Sequence, residues 1–215
     1  MPVLLKMELP LSHLWLPARK PSQQVVVVLH GLGDSAEGYF WIQDAFDIDS
    51  VDYLLLNAPD SYFTGFSWYD IGPNSLPGIV RSRKLLGETF RILKQNGYAP
   101  ENTALFGFSQ GCLMTMEFGA RHPDRLAAYV GVSGYSISPE SLLQELNPEV
   151  NRGDWLITHG TQDELLPVNI TREQMRVLKN GGFTIDYREY PKTHTMDPQR
   201  ELPDIRNWIA SRLRV

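Results

Sequence analysis

The sequence predicts an α/β protein, built as a mostly parallel central sheet with helices on both faces. Three observations carry that expectation. Apolar runs of strand length alternate with helix-period stretches through most of the chain, the pattern of successive βαβ units. One run, Gln24 to His30 (QVVVVLH), is almost continuously β-branched, as in a parallel strand covered on both faces. From Asn102 to Ala120, an apolar strand enters Gly107-Phe108-Ser109-Gln110-Gly111 and leaves as an apolar, Gly-free stretch. Gly-x-Ser-x-Gly is the spacing of a nucleophile elbow, where small residues two before and two after the serine let strand and helix pass closely.

The elements follow in order. Leu4 to Leu16 alternate loosely, which predicts one or two edge strands interrupted by Pro10 and Pro17. After the strand over Gln24 to His30 come Gly31-Leu32-Gly33-Asp34. Asp34 with Glu37 three residues on reads as a capping box for a helix over Ser35 to Phe46. Val51 to Leu56 is the next strand. Ser61 to Pro77 has no clean period but carries Tyr62, Phe63, Phe66, Trp68 and Tyr69, the composition of a loop that lines something. Val80, Leu85, Leu86, Phe90 and Leu93 form a helical stripe within Gly78 to Asn96. The elbow strand (Thr103 to Gly107) and its helix lead to a buried strand at Ala127 to Val132 and a short helix around Glu140 to Leu146. Trp155 to His159 is a strand, Ile170 to Asn180 a helix, Phe183 to Tyr190 a strand and Pro203 to Leu213 a last helix.

Composition narrows the function. At 215 residues the chain suits one domain over 1–215 with a sizeable core. Its 20 basic and 25 acidic residues give a net charge of -5, which lacks the electrostatic footprint of a nucleic-acid binder. A single cysteine, Cys112, excludes an internal disulfide and a Cys-based metal site. The longest aliphatic run, Val25 to Leu29, is too short to span a bilayer, and the N-terminus has neither a basic n-region nor a cleavage site. These features predict a cytoplasmic protein without a transmembrane segment.

A serine hydroxyl is a poor nucleophile near neutral pH, so Ser109 requires a base within hydrogen-bond reach and a carboxylate to orient that base. The order Ser, acid, His is that of the α/β-hydrolase arrangement. Three histidines follow Ser109. His122 lies about a dozen residues down the elbow helix, roughly 18 Å away at 1.5 Å per residue, and cannot reach back. His159 ends a strand and suits packing or a local hydrogen bond. His194 is left as the base. Asp163, just past the strand Trp155 to His159, stands where the crevice of an open α/β sheet lies; Glu164, Asp186 and Asp197 are weaker candidates by position. The oxyanion needs two donors, which this arrangement takes from the residue after the nucleophile and from a loop after an early strand. Those are the backbone N–H groups of Gln110 and Leu32. His-Gly-x-x-Asp occurs twice, and its first copy caps a helix ahead of Ser109, so Asp34 reads as structural. Phe63, Phe66, Trp68 and Tyr69, with Leu165 and Leu166 behind the acid, suggest an acyl-binding groove, with Trp68 and Leu166 as its substrate-binding residues.

HGLGD, Trp68-Tyr69-Asp70, GFSQG and HGTQD with Pro167 and a late His, in this order over nearly the whole chain, resemble the phospholipase/carboxylesterase family that includes acyl-protein thioesterases. The resemblance implies a compact α/β-hydrolase without a large cap domain, cleaving acyl thioesters or carboxylic esters of small molecules or acylated proteins and needing no cofactor or metal. It implies the same roles for Ser109, Asp163, His194, Leu32 and Gln110. Two departures stand out. The family usually has a second Gly where this chain has Cys112, a small core residue on the present reading, and a Gly directly before the catalytic His, where this chain reads Lys192-Thr193-His194-Thr195-Met196. An acyltransferase or peptidase using the same triad is the rival enzyme reading. A non-catalytic binding protein on the same fold is the rival from another class.

Overall fold

A computed structural model describes residues 7–151 and 153–215. Nine strands and seven α-helices follow one another as β1 (His13–Leu16), β2 (Val25–Leu29), α1 (Ile42–Phe46), β3 (Asp52–Leu56), β4 (Asp60–Tyr62), β5 (Gly65–Ser67), α2 (Ser75–Gln95), β6 (Thr103–Phe108), α3 (Gln110–Gly119), β7 (Ala128–Val132), α4 (Pro139–Gln144), α5 (Pro148–Asn151), β8 (Trp155–Gly160), α6 (Val168–Asn180), β9 (Ile185–Tyr190) and α7 (Glu201–Leu213), counted among the described residues. Seven strands form one sheet in the order β1-β3-β2-β6-β7-β8-β9. All neighbours run parallel except β1, which pairs antiparallel with β3 at the edge.

The β-branched run of β2 is buried along its length and serves both faces of the sheet. Val25, Val27 and Leu29 pack on one side with α2, α3 and α6 through Ile79, Leu86, Leu113, Met175 and Leu178. Val26 and Val28 pack on the other with Ile42 and Phe46 of α1 and Ile205 and Ile209 of α7. That two-sided burial is why the run shows no alternation of polar and apolar residues. Chain order reverses around β2. The chain goes from β2 outward to β3, then returns to place β6 on the other side of β2, with Leu29 opposite Gly107. Loops leaving β2 and β6 therefore part at their carboxyl ends, and a crevice opens between them.

One expectation is met and three need correction. One strand, within the one or two expected, occupies the described part of Leu4 to Leu16; residues 4–6 lie outside the described residues. The helix expected over Ser35 to Phe46 is split into a single 3-10 turn (Glu37–Tyr39) and the short α1. Asp34 does not form the capping box: its carboxylate accepts from the adjacent Ser35 N–H, while the Ala36 N–H is taken by the Asn57 side chain at 2.7 Å. Within Ser61 to Pro77, β4 and β5 pair as a two-stranded hairpin, with Phe63 at positive φ in its turn. The short helix α5 carried no period that could announce it.

Cys112 in α3 occupies space that β7 leaves open. A Cβ on Gly131 would lie 2.6 Å from its Sγ, with only the Ile157 Cδ1 tip (2.8 Å) otherwise in the way. Burial pushes the Cys112 thiol up to about 12, so it is a neutral core group.

Candidate active site

Ser109 joins β6 to α3 at φ 53° and ψ −113°, a region that non-glycine residues seldom occupy. Two bonds hold it there: its N–H donates to the Val132 carbonyl at 2.9 Å, and its carbonyl accepts from Leu113 N–H at 3.2 Å. The flanking glycines are required for clearance. A Cβ on Gly107 would overlap the Gly111 carbonyl, and one on Gly111 would overlap the Leu29 carbonyl of β2.

Asp163, His194 and Ser109 come from the loops after β8, β9 and β6 and meet in a line. His194 Nδ1 lies 2.7 Å from Asp163 Oδ2, and its Nε2 lies 3.0 Å from Ser109 Oγ. The other carboxylate oxygen, Asp163 Oδ1, accepts from Leu166 N–H at 2.9 Å and Leu165 N–H at 3.1 Å, which fixes the carboxylate plane. With both oxygens engaged, the Asp163 carboxylate is placed to hold the Nδ1–H tautomer of His194. The Phe108 ring covers the imidazole, with centroids 5.1 Å apart. His159 is buried beside them. Its Nε2 sits 2.8 Å from the Leu166 carbonyl, and burial holds it below the ordinary histidine range, so it is a neutral donor. His122 lies at the far end of α3 against Asp124, away from the serine.

Leu32 and Gln110 face the same crevice from the loop after β2 and from the start of α3. Among the described residues, nothing accepts either backbone N–H. The loop carrying Leu32 is fixed on both sides. Gly33 N–H donates to the Phe66 carbonyl and Phe66 N–H to the Asp34 carbonyl, at 2.8 and 2.9 Å. His30, kept neutral by burial, accepts from Ala58 N–H through Nε2 and thus donates through Nδ1 to the Gly31 carbonyl at 2.6 Å. The Gln110 side chain is buried too. Its Oε1 accepts from Trp68 N–H (3.0 Å) and its Nε2 donates to the Tyr69 carbonyl (2.9 Å), so the elbow is tied to the segment after the hairpin.

These groups open on a cleft of about 370 Å³, lined mainly by Leu32, Tyr69, Ile71, Phe108, Leu165 and Leu166. Leu166, expected from the sequence to bind substrate, lines this cleft. Trp68, expected beside it, does not. It is 0% exposed, with its indole N–H on the His30 carbonyl at 2.9 Å, and belongs to the core. Phe63 is 91% exposed at the hairpin tip, and Phe66 packs on the core, so of the four aromatics only Tyr69 reaches the cleft. Ile71 and Tyr135 were not singled out from the sequence because each sits in an irregular stretch without period. Nor was His30, whose role depends on partners distant in sequence. Among the described residues no group of three His, Cys, Asp or Glu side chains is disposed to hold a metal ion. No helix among them is long and apolar enough to cross a membrane.

The sheet order, the elbow after β6 and the crevice at the switch point define an α/β-hydrolase. Comparison with known proteins agrees. The family profile described as Phospholipase/Carboxylesterase matches residues 16–213. The chain is 26% identical to acyl-protein thioesterase 1 of Yarrowia lipolytica, over 93% of this chain and 96% of that one. It is 25% identical to carboxylesterase SOBER1 of Arabidopsis thaliana, whose crystal structure superposes with a TM-score of 0.80 over 88% of this chain and 99% of that one. The crystal structure of esterase PE8 is likewise similar, at 25% identity and a TM-score of 0.81, covering 94% of this chain and 98% of that one. The chain belongs to the phospholipase/carboxylesterase family and is a hydrolase.

Proposed function

We propose that this enzyme hydrolyses carboxylic ester or acyl thioester bonds through a Ser109–His194–Asp163 triad and an acyl-enzyme, with preference for medium or long acyl chains. The observation that carries the reading is the line of contacts from Asp163 Oδ2 through His194 to Ser109 Oγ, at 2.7 and 3.0 Å, at the mouth of an apolar cleft. His194 Nε2 takes the Ser109 proton as Oγ attacks the acyl carbon, and the imidazolium is stabilised by Asp163. The resulting oxyanion is received by the N–H groups of Leu32 and Gln110, aided by the positive end of α3. His194 then gives its proton to the departing alcohol or thiol, and water repeats the sequence to release the acid.

Relatives bear the names acyl-protein thioesterase and carboxylesterase, which supports acylated proteins and small esters as the two substrate classes to test; a cytoplasmic setting is part of the same proposal. Each methylene buried against Leu166, Leu165, Tyr69 and Ile71 contributes about 0.8 kcal/mol, so four extra carbons raise kcat/KM on the order of a hundredfold if the transition state keeps the contact. The test is a series of acyl esters and thioesters of graded length. Turnover should rise from acetyl to about octanoyl, be lost in Ser109→Ala with the melting curve unchanged, and show a flattened chain-length dependence in Leu166→Ala. Turnover retained in Ser109→Ala would refute the nucleophile, and a series that peaks at acetyl would refute the groove.

A further inference from the structure

His194 sits in the irregular segment between β9 and α7, where few backbone bonds hold the chain: Thr195 N–H reaches the Thr193 carbonyl at 2.8 Å, and the Lys192 carbonyl accepts from Gln162 N–H at 3.1 Å. Further on, the Asp197 carbonyl accepts from Leu202 N–H and its side chain from Gln199 N–H, and around His194 itself a further restraint comes from a buried side chain. Lys192 is 4% exposed on its side chain and lies 2.8 Å from Glu201 Oε1, itself fully buried. Its ammonium also donates to the Thr195 carbonyl at 2.6 Å and to Ser133 Oγ at 2.9 Å. Glu201 Oε2 in turn accepts from Asp197 N–H at 3.0 Å. The two side chains therefore grip the segment at Thr195 and Asp197, directly after His194, and anchor it to the end of β7 and the start of α7.

We propose that Lys192 is a positioning residue for His194, its ammonium joining the Thr195 carbonyl to Ser133 Oγ and Glu201 and so setting the reach of His194 Nε2 to Ser109 Oγ. The proposal rests on the reading of His194 as the base. Nζ donates to two acceptors and pairs with the Glu201 carboxylate at 2.8 Å, a setting that the positively charged ammonium meets with both its N–H groups and its charge. Net stability does not account for the pair, since a buried ion pair is commonly no better than a well-packed apolar one. An apolar pair, however, has nothing to offer the Thr195 carbonyl.

Charged and titratable groups face Lys192 from every side: Glu201 from α7, Asp163 and His159 from the end of β8, His194 from its own segment and the neutral Cys112 thiol from α3. Burial outweighs the two carboxylates and holds the ammonium below the ordinary lysine range. Activity should therefore fall on an alkaline limb below that range, as Nζ loses a proton and one tie. The unfolded chain keeps that proton to higher pH, so between the two values the unfolded state holds more protons and the Lys192 contribution to stability rises with pH. Activity and this share of stability move in opposite directions, which a purely structural role would not produce.

The test uses Lys192→Met/Glu201→Gln, which removes both charges together and leaves neither buried alone, and Ser133→Ala, which removes one acceptor. Circular dichroism reports the fold, kcat and KM on an acetyl ester are followed from neutral to alkaline pH, and the downfield proton resonance of the His194–Asp163 bond reads position without turnover. The double variant should stay folded, lose about tenfold to a hundredfold in kcat with KM nearly unchanged, lose the alkaline limb and lose the resonance. A folded double variant with wild-type kcat, limb and resonance overturns the proposal. Should it fail to fold, Ser133→Ala decides: a several-fold lower kcat with the limb moved to lower pH supports the tie, and an unchanged kcat and limb overturn it. If the wild-type protein cleaves no ester while the variant still loses the resonance, positioning stands and the esterase reading falls.

Discussion

Trp68 holds the molecule together beneath the cleft without touching its contents. Its indole N–H donates to the His30 carbonyl, its backbone N–H to Gln110 Oε1, and its carbonyl accepts from Ser82 Oγ at 2.5 Å. Truncation removes a fully buried ring and unpairs the carbonyl just ahead of Gly31. Trp68→Ala should lower the unfolding free energy by about 3–5 kcal/mol in urea titrations, and the folded remainder should keep the wild-type chain-length preference. Glu117 presents the opposite case, a side chain whose charge weakens the fold. Burial raises its carboxyl above the ordinary range; Oε2 meets Arg121 Nη1 at 2.8 Å, and Oε1 has no partner among the described residues. A carboxyl raised in the folded state contributes most below its ordinary value, and that contribution is lost as pH rises through the raised value. Glu117→Gln keeps an acceptor for Arg121, which also holds Glu145, and removes the buried charge. It should melt higher at neutral pH by about 1 kcal/mol equivalent, with the advantage vanishing in acid.

At the scale of elements, the elbow depends on contact between backbones. Gly111 puts α3 against the Leu29 carbonyl of β2, so Gly111→Ala must push the helix away and carry Gln110 N–H with it. The variant should melt several degrees lower and lose most of its turnover, read by thermal denaturation and by ester hydrolysis on the folded fraction. This element was legible because its glycines, its apolar flanks and the order Ser109, Asp163, His194 all pointed the same way. β2 was equally legible from its β-branched run. The split at Ser35 to Phe46 was not, because the acceptor that diverts Ala36 N–H is Asn57, 21 positions on. Nor could Trp68 be told from a groove residue. Aromatic type is the same in a wall and in a core, and the deciding bonds run to His30, Ser82 and Gln110. Lys192 left no signal, since a lysine two residues before a histidine ordinarily reads as solvated.

Over the whole molecule, the proposed catalytic residues gather at the carboxyl ends of β2, β6, β8 and β9, with Leu32 and Ser109 on the loops of adjacent strands where the chain order reverses. The amino ends carry a larger and more polar hollow of about 650 Å³, where Arg125 and Arg212 are both drawn to Asp154. Topology, and not size, singles out the cleft. The same close spacing across the sheet links Cys112 of α3 to Gly131 of β7. Gly131→Ala should destabilise the protein strongly, but far less in a Cys112→Ala background, with a coupling of about 1–2 kcal/mol in a double-mutant cycle read by urea denaturation. That coupling gives the two positions a direction in time. A thiol at 112 sits at lower cost where 131 lacks a side chain, so a path through the more stable intermediate takes the glycine before the cysteine. Once the sulfur is seated, it raises the cost of the way back.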